Sequence, residues 1–167
     1  EWNALKLLNE EGEFLSYQDG MKVLEIAATE DFNFVTDSLT GSIEYDDTWG
    51  QKHIDQILDL NLVAVKVIKA AEFTVAIDCI NSVGGLILPR LLRALGVSKV
   101  IELNTTPDGN FAHNPEPVPE NLKDISELVA RERADIGFVV DPDVDRLAIV
   151  CEDGAMFGEE YTLVAVS

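Results

Sequence analysis

The chain has 167 residues, enough for one ordinary domain or for one domain with pieces of its neighbours. It is 47% apolar, so a core can form, and its formal charge is −19. No basic run offsets that charge, which argues against a nucleic-acid or anionic-membrane partner, and no apolar stretch approaches the length of a membrane span. A phosphorylated ligand would have to be met by local cations or a bound metal.

The first residues, to about Leu15, read as an extended segment with a turn at Asn9-Glu10-Glu11-Gly12-Glu13. Ser16 and Asp19 are spaced as a capping box, and Val23, Leu24, Ile26 and Ala27 form a helical stripe behind it. Residues 31–48 are mixed and polar, with Thr40-Gly41-Ser42, and suit an interdomain linker. A helix with Ile54, Ile57 and Leu58 on one face comes next, and residues 62–71 suit a second helix better than a strand.

From Phe73 the alternation is clearer. Phe73–Asp78 reads as a buried strand, Asn81–Gly85 as a turn, and Leu86–Leu95 as an apolar helix stopped by Gly96. Lys99–Leu103 is a second strand. A long loop, 104–119, carries Pro107, Gly109, Pro115, Pro117 and Pro119. Glu120–Glu132 is a helix with Leu122, Ile125, Leu128 and Val129 on one side. Asp135–Val140 and Leu147–Cys151 are the last strands. Strands alternating with helices predict an α/β fold, and the short link 141–146 leaves no room for a parallel crossover. The fold expected is a three-layer α/β domain with a four-stranded mixed sheet flanked by helices.

Two cysteines, Cys79 and Cys151, lie at the ends of apolar strands with no zinc spacing. They read as buried free thiols, which suits a reducing cytoplasm. His53 and His113 read as surface residues, Arg90 and Arg93 as the solvent side of their helix, and Asp78 as a capping carboxylate at a strand end.

The chemistry concentrates in Asp141-Pro142-Asp143-Val144-Asp145-Arg146. Three alternating carboxylates after a buried strand, at a forced turn, repel one another unless a cation lies between them. Hard oxygen donors in that number suit magnesium or calcium, and Arg146 offers a planar fork suited to phosphate. Three other readings stand beside a metal site. One is a solvated acidic turn. Another is an EF-hand calcium loop, with Glu152 in its last place but Arg146 where glycine is needed. The third is a haloacid-dehalogenase-type phosphatase with its Asp-x-Asp at a strand end.

The same loop, continued through Leu147-Ala148, resembles the metal-binding loop of the α-D-phosphohexomutases. Pro107-Asp108-Gly109-Asn110-Phe111, Pro115-Glu116-Pro117 and Glu120-Asn121-Leu122 resemble the segment before it in that family, and Gly158-Glu159-Glu160-Tyr161 the segment after it. Asn3-Ala4-Leu5-Lys6 resembles an Asn-Gly-x-Lys element that lies shortly after the family's Ser-His-Asn-Pro motif, with Ala4 in place of glycine. The resemblance implies a hexose-phosphate mutase working through a phosphoserine and a bisphosphate intermediate. It implies Mg2+ held by Asp141, Asp143 and Asp145, Arg146 beside the phosphoserine, and Lys6 as a proton-transfer or charge-stabilising group. The implied organisation is the end of a first domain at 1–40, a metal-carrying second domain at 41–151, and the start of a third at 152–167. The chain opens Glu1-Trp2-Asn3 without methionine and closes inside an apolar pattern, so the expectation is a piece of a longer enzyme, inactive by itself.

Overall fold

The computed structural model describes residues 6–30, 32–36 and 40–167, with the side chains of Glu159, Glu160 and Leu163 outside that description. The chain divides into two compact units, Glu1–Tyr45 and Asp46–Ser167.

In the first unit, Leu8 and Phe14 pair as an isolated antiparallel bridge around the Asn9–Gly12 turn. The Asn9 side chain closes that turn by accepting from the Glu11 and Glu13 amides. Helix α1, Tyr17–Thr29, starts at Ser16, whose hydroxyl accepts from the Asp19 amide. The reciprocal half of the capping box differs from expectation. The Asp19 carboxylate is too short to reach back to the Ser16 amide and instead accepts from the Ser16 hydroxyl at 2.7 Å.

The second unit carries α2 (Trp49–Leu58), α3 (Val65–Ala71), β1 (Thr74–Asp78), α4 (Gly84–Leu95), β2 (Lys99–Leu103), α5 (Lys123–Glu132), β3 (Ile136–Val140), β4 (Leu147–Cys151) and α6 (Glu159–Val166). The sheet order is β2-β1-β3-β4. β1 pairs parallel with β2 and β3, and β3 pairs antiparallel with β4. This is the mixed four-stranded sheet that the short 141–146 link requires.

Alternation in β1 builds two cores. Val75 and Ile77 join Leu92 of α4 on one face. Ala76 joins Ile125, Leu128 and Val129 of α5, with Val139, Ala148 and Val150, on the other. A period of two sends successive side chains to opposite faces, so the sheet is covered by a helix layer on each side. Ile77, Ile125, Val129 and Val150 are fully buried. At about 1.5–3 kcal/mol per buried branched side chain, these dominate the stabilisation of the layer.

Two further expectations change. The helix expected from Glu120 begins as a short 3-10 turn at Pro119–Asn121, and α5 proper starts at Lys123. Leu122 breaks the run with φ −111° because its side chain is drawn into the core, at 1% exposure. Cys151 is only half-buried, since β4 is an edge strand, whereas Cys79 is fully buried. Burial pushes the Cys79 thiol up to about 12, with the charges of Asp78 and Glu102 acting in the same direction.

Candidate active site at the carboxyl edge of the sheet

Each parallel strand ends in a polar residue at the same edge: Asp78 closes β1, Asn104 comes directly after β2, and Asp141 directly after β3. In open α/β sheets, this edge is where ligands bind. Backbone strain collects here too. Ile80 (φ 49°), Asn81 (φ 56°), Asn104 (φ 51°) and Val144 (φ 62°) all adopt the left-handed region. For a β-branched residue such as Val144 this costs on the order of 1–3 kcal/mol and persists only where the surroundings enforce it.

The aspartate loop is one such place. Asp141 and Pro142 open a tight turn, closed by the Val144 amide donating to the Asp141 carbonyl at 3.1 Å. Proline in the second place presets its φ, and aspartate is favoured in the first. The Asp141 side chain then organises the far half of the loop. Its Oδ1 accepts from the amides of Asp145 and Arg146, each at 3.1 Å, and its Oδ2 accepts from Arg146 Nε at 3.1 Å. Asp141 is 2% exposed, whereas Asp143 and Asp145 are exposed. The hydrogen bond that Arg146 donates to Asp141 pushes the Arg146 pKa up, and the charges of Asp141, Glu116 and Asp145 add to it.

Asp141, Asp143 and Asp145 each place a carboxylate oxygen within 4.8 Å of the other two. The donor set is all oxygen, which fits a hard divalent cation. The two amides occupy both lone pairs of Asp141 Oδ1, while Oδ2, with one donor, keeps a lone pair for a cation. β3 and β4 flank the loop as strands, where an EF-hand needs helices.

Of the residues singled out from the sequence, Asp141, Asp143, Asp145 and Arg146 lie together in this loop. Lys6 is exposed and belongs to the first unit. Its companions Asn3, Ala4 and Leu5 lie outside the described residues. Asp78 does cap the turn after β1, accepting from the Ile80 amide at 2.9 Å. It also does more, because Asn104 Nδ2 and His113 Nε2 both reach it. His113 is therefore not a surface residue. Its side chain is 15% exposed, and its Nε2 lies 3.1 Å from Asp78 Oδ2.

A second missed contact is the Ser82 hydroxyl donating to the Pro142 carbonyl at 2.7 Å. The signal that was available in the sequence is the polar residue ending each of three apolar runs, at Asp78, Asn104 and Asp141. Together these features define an α/β/α domain that presents a convergent three-carboxylate loop, with an arginine in its wall, at the carboxyl edge of its sheet.

The chain belongs to the phosphoglucomutase/phosphomannomutase family. The family model described as phosphoglucomutase/phosphomannomutase, alpha/beta/alpha domain II, matches residues 51–154, more than half of the chain. The chain is similar to the phosphoglucomutase/phosphomannomutase of Thermococcus kodakarensis, at 37% identity over 168 residues, covering 100% of this chain and 36% of that protein. It is similar to a probable phosphoglucosamine mutase of Methanopyrus kandleri at 32% identity, covering 99% of this chain and 35% of that one. In structure it is similar to a phosphoglucomutase/phosphomannomutase family protein from Burkholderia thailandensis. The TM-score is 0.72 at 30% sequence identity, over 91% of this chain and 31% of that one. The chain thus spans about a third of the length of the relatives it matches. Among the described residues, no helix is long and apolar enough to cross a membrane.

Proposed function

We propose that this chain supplies the metal-carrying domain of a hexose-phosphate mutase, which interconverts hexose 1-phosphate and hexose 6-phosphate through a phosphoserine and a bisphosphate intermediate. The observation that carries the reading is the convergence of Asp141, Asp143 and Asp145 at the carboxyl edge of the sheet, with Arg146 hydrogen-bonded into the same loop. In this reading residues 41–151 form the metal-carrying domain, with 1–40 and 152–167 belonging to the domains on either side. The setting is a reducing cytoplasm, and the partner is a hexose phosphate rather than nucleic acid or membrane.

Asp141, Asp143 and Asp145 would hold Mg2+. When bound, the ion draws negative charge off a phosphoryl oxygen, which is most of what phosphoryl transfer asks of a protein. The remaining work falls to side chains of this chain. Arg146 presents a planar N–H fork to a phosphoryl oxygen and, through Nε, stays oriented by Asp141. Asp141 also fixes the loop itself through the amides of Asp145 and Arg146. Lys6 stabilises charge or moves a proton beside the phosphoserine. No Ser-His-Asn-Pro occurs within the sequence, so the phosphoserine comes from a part of the polypeptide other than these residues.

The experiment is an assay of the natural polypeptide that carries this sequence, offered glucose 1-phosphate, mannose 1-phosphate and glucosamine 1-phosphate in turn. Conversion of at least one to its 6-phosphate, abolished by a chelator and restored by Mg2+, is the expected result. Release of inorganic phosphate without isomerisation would contradict the mutase reading and favour a phosphatase.

A further inference from the structure

The turn that joins β1 to α4 is strained and tightly held. Ile80 (φ 49°) and Asn81 (φ 56°) stand consecutively in the left-handed region. That backbone is costly for a β-branched residue and persists only where the surroundings enforce it. Asp78, at 1% exposure, accepts from the Ile80 amide at 2.9 Å. The Asn81 amide donates to the Asn104 carbonyl at 2.6 Å, and the Asn81 carbonyl accepts from the Gly109 amide at 3.0 Å. The Ser82 amide donates to the Cys79 carbonyl at 2.9 Å. Gly84 then packs so closely that an added Cβ would lie 2.7 Å from Cγ2 of Val140, the residue before Asp141. The turn is therefore a rigid platform set against the start of the aspartate loop.

This anchoring places one hydroxyl. Ser82 Oγ donates to the Pro142 carbonyl at 2.7 Å. The aspartate loop closes its own turn through a different carbonyl, that of Asp141, and the Asp141 carboxylate holds the far half at the Asp145 and Arg146 amides. Asp143 lies between these anchors. The Pro142 carbonyl and the Asp143 amide share one rigid plane, so a donor that fixes the carbonyl also fixes the direction in which the chain enters Asp143. On its other side, Val144 (φ 62°) packs against the core that holds Ile77 and Leu92. The exposed Asp143 carboxylate thus stands on a backbone held at both neighbours.

We propose that Ser82 is a positioning residue of the aspartate loop. Its hydroxyl fixes the Pro142–Asp143 peptide so that the Asp143 carboxylate converges with those of Asp141 and Asp145 on one divalent cation. The proposal rests on the reading of this loop as a metal site. Without the hydroxyl the peptide plane samples further orientations, and the apparent affinity for the cation falls with the fraction of loops left in the convergent arrangement. One net hydrogen bond sets that fall at about fivefold.

The test is the binding of Mn2+, a hard cation suited to the same oxygen donors, to the natural polypeptide that carries this sequence. Binding is read from the electron paramagnetic resonance signal of the free ion, so no catalysis is required. Ser82→Ala is expected to bind about fivefold more weakly than the wild type. Ser82→Thr, which keeps the hydroxyl, should recover most of that loss. Ile125→Val trims the core on the other face of the sheet, with a similar cost to stability, and should leave the affinity unchanged. Equal affinity in the wild type and Ser82→Ala would overturn the proposal. So would binding in Ser82→Thr as weak as in Ser82→Ala, or an equal loss in Ile125→Val, since the effect would then be general loosening. Each of these leaves the metal reading standing, whereas a wild-type polypeptide that takes up no Mn2+ would overturn both.

Discussion

Ser82 and Pro142 are sixty residues apart in sequence, and the Ser82 hydroxyl donates to the Pro142 carbonyl at 2.7 Å. The turn after β1 thereby holds the second residue of the aspartate loop. The contact is partly buried, so a lost donor is not fully replaced by water. Ser82→Ala is expected to lower stability by about 1 kcal/mol, the usual net value of a neutral hydrogen bond. Urea unfolding checks this, and an unchanged midpoint would show that the tie contributes nothing.

The first turn of α4, directly after that turn, requires Gly85. An added Cβ there would lie 2.0 Å from the Thr105 carbonyl oxygen and 2.7 Å from its carbon, both main-chain atoms that no rotamer change can move. Gly85→Ala is therefore expected to cost about 3 kcal/mol or more, at the upper end of overpacking effects. Gly20→Ala, in α1 with nothing within 4 Å, is the control and should cost nothing. Equal effects of the two substitutions in denaturant titrations would contradict the close approach of α4 to the loop after β2.

Cys79 gives an alkaline signature. Its thiol ordinarily titrates near 9 and in the fold is pushed up to about 12 by burial, with Asp78 and Glu102 adding to the shift. Above pH 9 the unfolded chain loses this proton while the folded chain keeps it, so unfolding gains. Stability should fall between pH 9 and about 12, by at most about 1.4 kcal/mol per pH unit from this group. Below pH 9 the group has no effect. Comparing unfolding of the chain with that of Cys79→Ala across this range isolates the contribution, and parallel pH profiles would refute it.

Much of the fold could be read from local pattern. Short apolar runs at Thr74–Asp78 and Ile136–Val140 mark buried strands, and the brevity of 141–146 dictates the antiparallel β3–β4 pair that is found. The aspartate loop was legible because its residues are contiguous. The features that escaped reading depend on partners distant in sequence. His113 looks like an isolated histidine because Asp78 is 35 residues away. Ser82 looks like an ordinary turn residue for the same reason. Cys151 looks buried because it ends an apolar run, but only strand order shows that β4 is an edge. The late start of α5 reflects burial of Leu122 overriding its local helical pattern.

The central claim is that the three carboxylates hold the metal on which isomerisation depends. The most direct measurement is the rate of glucose 1-phosphate isomerisation, in saturating Mg2+, by the natural polypeptide carrying Asp143→Ala. Asp143 is exposed, so the variant should fold with unchanged stability. The account predicts a loss on the order of a hundredfold or more, the scale of removing one preorganised electrostatic contact to a transition state. Activity retained within about twofold would take the loop out of the mechanism.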